Sequence, residues 1–264
     1  MNAPAPKMLA RQLMCIGLLM GMSLGFVACS AQEDERDLRI FAAASLAESF
    51  RALAVAFEAE SPGVRVRLHT AGTPQLVLQV REGARADVFA SADETSMNAL
   101  LQDLRSRGMQ AASPQVFARN QLGLLVAQGN PLRLTRLEQL NQPEIRFAMA
   151  GPQVPAGRYA RESLALAGAT ASSRSDEASV RGVLQKVLLG ELDAGIVYTT
   201  DLLEDDSSLE LVPIPAAHQP RILYPIIALP HAAHPEPAAA FVRFVLSESG
   251  QSILRAHGFG AARE

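Results

Sequence analysis

Residues 38–57 read LRIFAAASLAESFRALAVAF, and this stretch decides the fold. Its first six residues, 38–43, are apolar but for Arg39 and have the length of a buried strand. The apolar positions then return as Leu46, Phe50, Leu53 and Phe57, in steps of 4, 3 and 4, which is the spacing of one face of a helix. Three alanines and Ser45 stand at the handover, with Glu48 three residues after the serine, a capping-box pattern. A strand that passes straight into a helix is half of a βαβ unit.

The alternation continues along the chain. Ser61-Pro62-Gly63 breaks the helix, and Val64, Val66 and Leu68 alternate with Arg65 and Arg67 as a strand with one wet face. A helix fits 75–82, closed by Gly83, and a strand fits 87–91. Further strands are expected at 122–126, 146–149 and 194–198, and helices at 159–166, 180–189, 237–246 and 251–255. Repeated strand–helix units imply an α/β protein with a mostly parallel sheet and helices on both faces. The pattern alone leaves one large sheet and two lobes equally open.

The chain has 264 residues, with 48% hydrophobic and 19% charged, a composition that suggests neither disorder nor nucleic-acid binding. Its first thirty residues read as an export signal, with Lys7 and Arg11 ahead of an apolar stretch from Leu13 to Val27. Residues 26–29 (FVAC) resemble a lipobox that would put a lipid on Cys29 after a signal of 1–28; cleavage after Ala31, giving a signal of 1–31, is the other route. Either product is periplasmic. From Gln32 onward no cysteine remains, and 22 basic residues face 27 acidic ones, a net charge of −5. Such a chain cannot gather an anion by bulk charge; local dipoles would have to do it.

Four strand-to-helix handovers could supply those dipoles, because helix N-termini present unpaired N–H groups at the carboxyl ends of strands. They are Ser45 after Phe41-Ala-Ala-Ala, Gly72-Thr73-Pro74, Val154-Pro155-Ala156-Gly157, and Ser179-Val180-Arg181-Gly182. Taken singly, each also reads as ordinary capping: Ser45 and Thr73 are good N-cap residues, Pro74 suits the first helical position, and Gly72 permits an unusual backbone angle. Tyr198, at the end of an expected strand, offers a phenol. Nothing in the sequence supplies a catalytic nucleophile–base pair, a phosphate-binding glycine loop or metal-ligand spacing. His231 and His234 are bracketed by Pro230 and Pro235 and read as solvated loop residues; His69, His218 and His257 are scattered. An iron carrier would want adjacent tyrosines, and Tyr159, Tyr198 and Tyr224 stand apart.

Taken together, several motifs resemble the periplasmic molybdate-binding proteins of ABC importers. They are FAAASL at 41–46, ADVFASAD at 86–93, VPAG at 154–157 followed by Tyr159-Ala160, VRG at 180–182, GIVY at 195–198 with Asp201, YPI at 224–226, and Ser249-Gly250-Gln251 with Gly258-Phe259. The resemblance implies the type II periplasmic-binding-protein fold: two α/β lobes joined by a hinge, lobe 1 from 37–116 and 224–264, lobe 2 from 117–223. It implies a solute-binding, non-enzymatic monomer that encloses molybdate or tungstate between the lobes and delivers it to a membrane permease, with no cofactor. Carried over by position, Ser45 and Thr73 would bind the oxyanion from one lobe. Ala156 and Val180 would do so from the other through backbone N–H groups, and Tyr198 through its phenol; no side chain would ligate molybdenum. Two departures stand out: Ala71-Gly-Thr-Pro74 replaces a serine cluster, and Ala178-Ser179 replaces an acidic residue followed by Asp or Asn before Val180. A donor-only site suits a fully deprotonated tetrahedral dianion, whereas hydrogenphosphate needs an acceptor. Sulfate, the alternative ligand, differs from molybdate chiefly in size.

Overall fold

The computed structural model describes residues 37–202 and 207–262. The expected export signal and Cys29 lie outside the described residues. The first lobe opens with β1 (Asp37–Ala43), a 3₁₀ turn (Ala44–Leu46) and α1 (Ala47–Glu60), then β2 (Arg65–Ala71), α2 (Thr73–Arg81), β3 (Val88–Ala90), α3 (Glu94–Ser106) and β4 (Gln115–Asn120). After Gln121 the second lobe begins: β5 (Leu122–Ala127), β6 (Phe147–Ala150), α4 (Pro155–Leu166), β7 (Asp176–Glu177), α5 (Val180–Leu188), β8 (Ala194–Tyr198) and β9 (Leu209–Pro213). The chain returns to the first lobe with β10 (Ile222–Ala228), α6 (Pro235–Leu246), α7 (Glu248–Ala256) and β11 (Gly260–Ala261).

The strand order is β11-β4-β10-β3-β1-β2 in one sheet and β7-β6-β8-β5-β9 in the other. The α/β class and the two lobes are as expected, but the sheets are mixed rather than mostly parallel. In the first, β2-β1-β3 is parallel while β10 and β11 run antiparallel to their neighbours. In the second, β6 pairs in parallel with β7 and β8, while β5 pairs antiparallel with β8 and β9. Antiparallel pairing enters where the chain crosses between lobes, since β4–β5 and β10 serve the crossing rather than βαβ units.

The opening stretch folds as its spacing dictates. Leu38, Ile40 and Ala42 face α1 and α6, while Phe41, on the opposite face of β1, packs with Phe89, Leu76, Val77 and Leu100 beneath α2 and α3. A strand covered on both faces is apolar at successive positions, which explains the run at 40–43, while the half-buried Arg39 interrupts the pattern near the strand's start. Phe50, Leu53 and Phe57 bury the inner face of α1, with Phe57 edge-on to Phe241 at 5.2 Å and Phe50 to Phe117 at 5.7 Å. Burying each such side chain stabilises the lobe by about 1.5–3 kcal/mol. The buried Asp87 carboxylate accepts the Arg39 and Ala233 N–H groups, each at 2.7 Å, and so ties β1 to the loop before α6.

The crossing segments are stitched by one side chain. Gln219 accepts the Leu122 N–H at 2.9 Å and donates to the Leu122 carbonyl at 2.7 Å, imitating a strand neighbour.

Candidate oxyanion site

A small cavity, about 10 Å³, lies between the lobes. Ser45 and Thr73 line it from the first lobe, and Ala156, Val180 and Tyr198 from the second, so all five sequence-predicted positions meet there. Larger hollows exist, such as one of about 640 Å³ beside the crossing strands, but that one is lined by none of these residues. The volume of the small cavity is close to that of one water-sized sphere, and no acidic or basic side chain lines it.

Each wall has a local cause. Ser45 sits inside the 3₁₀ turn rather than at a helix cap, and neither the turn nor α1 has a side-chain cap. The Glu48 carboxylate pairs with Arg181 and Arg51 instead of closing a capping box, so the expected box is absent. Ser45 is buried, and its hydroxyl contacts that of Tyr224 at 3.3 Å. Thr73 is the first residue of α2, not its cap; the cap is Gly72, and no side chain caps this helix. The Thr73 oxygen accepts the Ala92 N–H at a long 3.5 Å, which leaves its own proton for the cavity.

Gly72 is glycine for a reason other than the one expected. Its φ of −57° is open to any residue. A Cβ there would sit 2.6 Å from the Ala178 carbonyl oxygen of the other lobe, so close approach demands the missing side chain. Gly157 plays a related part within the second lobe. A Cβ on it would meet the Ala150 and Gly151 carbonyls at 2.1 and 2.2 Å, so VPAG seats α4 directly on the end of β6. Ala156, in the first turn of α4, is buried against the cavity. Ser179 precedes α5 without capping it, and Val180 is that helix's first residue.

The 3₁₀ turn and α2, α4 and α5 thus point at the cavity without side-chain caps, whereas Asp93 caps α3 and Ser247 caps α7 away from it. α6, also outside the lining, lacks a cap too. Uncapped N-termini leave N–H groups and about half a positive charge per helix facing the space.

Tyr198 closes the site. It is 1% exposed, and its hydroxyl has no hydrogen-bond partner among the described residues. A buried tyrosine satisfied by a backbone carbonyl is the ordinary outcome; that outcome is absent here. Burial, reinforced by the neighbouring Tyr224, pushes the Tyr198 pKa well above 10, so the phenol is a donor at neutral pH. An orphaned buried donor is costly unless a ligand accepts from it.

Two ion pairs cross between the lobes beside the cavity. Arg181 of α5 pairs with Glu48 of α1, and Arg158 of α4 pairs with Asp93, the cap of α3. Arg158 also donates to Ser96 at 3.2 Å and to the Gln153 carbonyl at 2.6 Å. Behind Arg181, at 3.9 Å, lies the buried Asp201, which accepts the Tyr198 N–H at 2.9 Å. Burial raises its pKa to about 7 despite Arg181. No local sequence pattern links the partners of these pairs, which stand 65 and 133 positions apart. His231 is exposed and His234 is the N-cap residue of α6, and among the described residues no group of three or more His, Cys, Asp or Glu is placed to hold a metal ion.

Residues 38–260 match the family described as bacterial extracellular solute-binding protein. The chain belongs to that family. This solute-binding protein is 34% identical over 254 residues to the molybdate-binding protein ModA of Mycobacterium bovis, covering 92% of this chain and 96% of the relative. Among solved structures, the periplasmic molybdate-binding protein of Azotobacter vinelandii superposes with a TM-score of 0.70 at 21% identity, over 84% of this chain and 98% of that one. The sulfate-binding protein SubI of Mycobacterium tuberculosis gives 0.77 at 18%, over 86% and 87%. At those identities the two structures share the fold with this solute-binding protein and say nothing of its ligand. No helix among the described residues is long and apolar enough to cross a membrane.

Proposed function

We propose that this protein captures molybdate, and tungstate equally, in the cavity between its lobes and hands it to the membrane permease of an ABC importer. The observation that carries the reading is the donor-only lining: uncapped helix starts and an unpartnered buried phenol converge on a space with no charged side chain. Ser45, Thr73 and Tyr198 would donate hydroxyl hydrogen bonds, and Ala156 and Val180 main-chain ones. No residue would touch molybdenum itself. Such a shell suits a dianion that offers only acceptors, and it penalises hydrogenphosphate, whose proton would meet another donor. The ModA relative supports molybdate over sulfate; size is the remaining discriminator. The protein would work as a monomer in the periplasm, exported by residues 1–31 or held there by a lipid on Cys29. It would bind and release its ligand without turnover and without a cofactor.

Calorimetric titration of the mature protein tests this. Molybdate and tungstate are expected to bind with similar affinity, sulfate more weakly, and phosphate weakest. Sulfate outcompeting molybdate would replace the assignment with sulfate.

A further inference from the structure

Behind Ser45 lies a chain of polar groups that the five cavity positions do not include. It begins at Asn120, the last residue of β4, whose amide makes four contacts. The Gln121 N–H approaches one end at 2.8 Å. A backbone N–H can only donate, so that end is the carbonyl oxygen, and Thr199 also donates to it at 3.3 Å. The other end is therefore the NH₂ group. It gives one hydrogen to Thr200 at 2.8 Å and one to the Tyr224 hydroxyl at 3.1 Å.

Tyr224 is fully buried and accepts from Asn120, so its single proton must go elsewhere. The remaining contact of its oxygen is Ser45 Oγ at 3.3 Å. Tyr198 is near, with ring centroids 5.8 Å apart, and its hydroxyl interacts with that of Tyr224 as a donor toward it without reaching normal hydrogen-bond geometry, so it does not take the Tyr224 proton. Burial drives the Tyr224 pKa far above 10, which keeps that proton in place. Ser45 Oγ then accepts from Tyr224, and its own O–H is left to point into the cavity.

We infer that Asn120 and Tyr224 are positioning residues that fix Ser45 as a hydrogen-bond donor and so make the site discriminate against oxyanions that carry a proton. The inference rests on the oxyanion reading above and extends it from which groups bind to what sets their polarity. A free serine hydroxyl could turn to accept from hydrogenphosphate or hydrogenarsenate. One that already accepts from a buried phenol presents its hydrogen instead. The direction is set at the Gln121 backbone, which cannot be reversed by rotating any side chain.

The test is a double-mutant cycle of Ser45→Ala and Tyr224→Phe in the mature protein, each substitution removing one oxygen, titrated with molybdate and with phosphate. Ser45→Ala should weaken molybdate by about tenfold or more, as expected for a lost bond to a charged acceptor. Tyr224→Phe should weaken it by about three- to tenfold, yet by less than about twofold when Ser45→Ala is already present. Tyr224→Phe should also lower the molybdate-to-phosphate affinity ratio, because Ser45 regains the freedom to accept. Additive losses in the cycle, or equal weakening of both anions, would overturn the relay and leave Tyr224 a packing residue. If the unmutated protein binds neither anion, the oxyanion reading itself fails, and the two failures are distinct.

Discussion

Gly72→Ala separates closure of the cleft from folding of the lobe. The residue caps α2 with φ −57° and ψ 135°, a conformation alanine adopts without strain. Locally, two small effects oppose each other. Alanine is the poorer N-cap, while the loss of glycine's freedom in the unfolded chain stabilises by about 0.4–1 kcal/mol. The large effect is across the cleft, where the new Cβ would stand 2.6 Å from the Ala178 carbonyl oxygen. The atom it strikes is backbone at the entry to α5, whose N-terminus lines the cavity, so relief requires moving that end of the helix or keeping the lobes apart. Overpacking of this kind costs about 1–3 kcal/mol, which at the site is a loss of about 5- to 150-fold in ligand affinity. The assay is calorimetric titration with molybdate alongside thermal unfolding without ligand. The expected pattern is a ligand-free midpoint within about 2 °C of the unmutated protein and a much reduced upward shift on adding molybdate. Unchanged affinity would refute the reasoning, for it would mean that Gly72 and Ala178 need not approach for the ligand to be held.

Three further outcomes follow from the site. Tyr198→Phe removes a buried hydroxyl with no partner, so ligand-free stability should hold or rise while molybdate affinity falls by about 1–3 kcal/mol, read by the same two assays. Asp201 is held at a pKa of about 7, above its ordinary 3.8. Between those values the folded protein binds more protons than the unfolded chain, so stability should fall as pH rises from about 4 to about 7. Asp201→Asn should flatten that slope in thermal unfolding across the same range, and an unchanged slope would place its origin in another group. Glu48→Gln breaks the Arg181 pair, whose side chains are 26% and 29% exposed. It should weaken molybdate by about two- to fivefold at low salt and less at 1 M salt, and a salt-independent loss would assign the effect to packing.

Legibility in the sequence followed the range of the interactions. The β1–turn–α1 unit is plain because both periodicities lie within twenty residues; the five cavity positions each sit at the end of a strand, but it is the family resemblance, not the local pattern, that singles them out as a set. Absent from the elements expected of the sequence are α3, β4, β7, β9, β10 and β11, and two of these show why. α3 carries Met97, Leu100, Leu101 and Leu104 at helical spacing behind the Asp93–Ser96 cap, a signal as local as that of α1. β10 contains Pro225 at a register shift against β4, and an interior proline disguises a strand. Gly72 was singled out for the wrong property: freedom of φ is visible as a residue type, whereas proximity to Ala178 is a property of two lobes. The sheets read as mostly parallel because strand–helix alternation says nothing of the strands that cross between lobes.

The net charge of the chain opposes its proposed ligand, and the site shows how that is overcome. Arg158 and Arg181, the cations flanking the cavity, are each already paired with a carboxylate of the opposite lobe, so neither offers the anion a free charge. What remains is the backbone. Three α-helical N-termini at about half an elementary charge each amount to about one and a half positive charges aimed at one small space, and the N–H groups of the 3₁₀ turn add to them, which offsets most of a dianion's charge. Spread over four elements, that compensation is lost only piecemeal, so no single hydroxyl substitution should abolish binding. A charge-based site would behave otherwise, since removing its one cation would leave the anion buried and unpaired. Partial loss on Ser45→Ala and on Tyr198→Phe, each leaving measurable affinity, is therefore what distinguishes a dipolar cage from an ionic one.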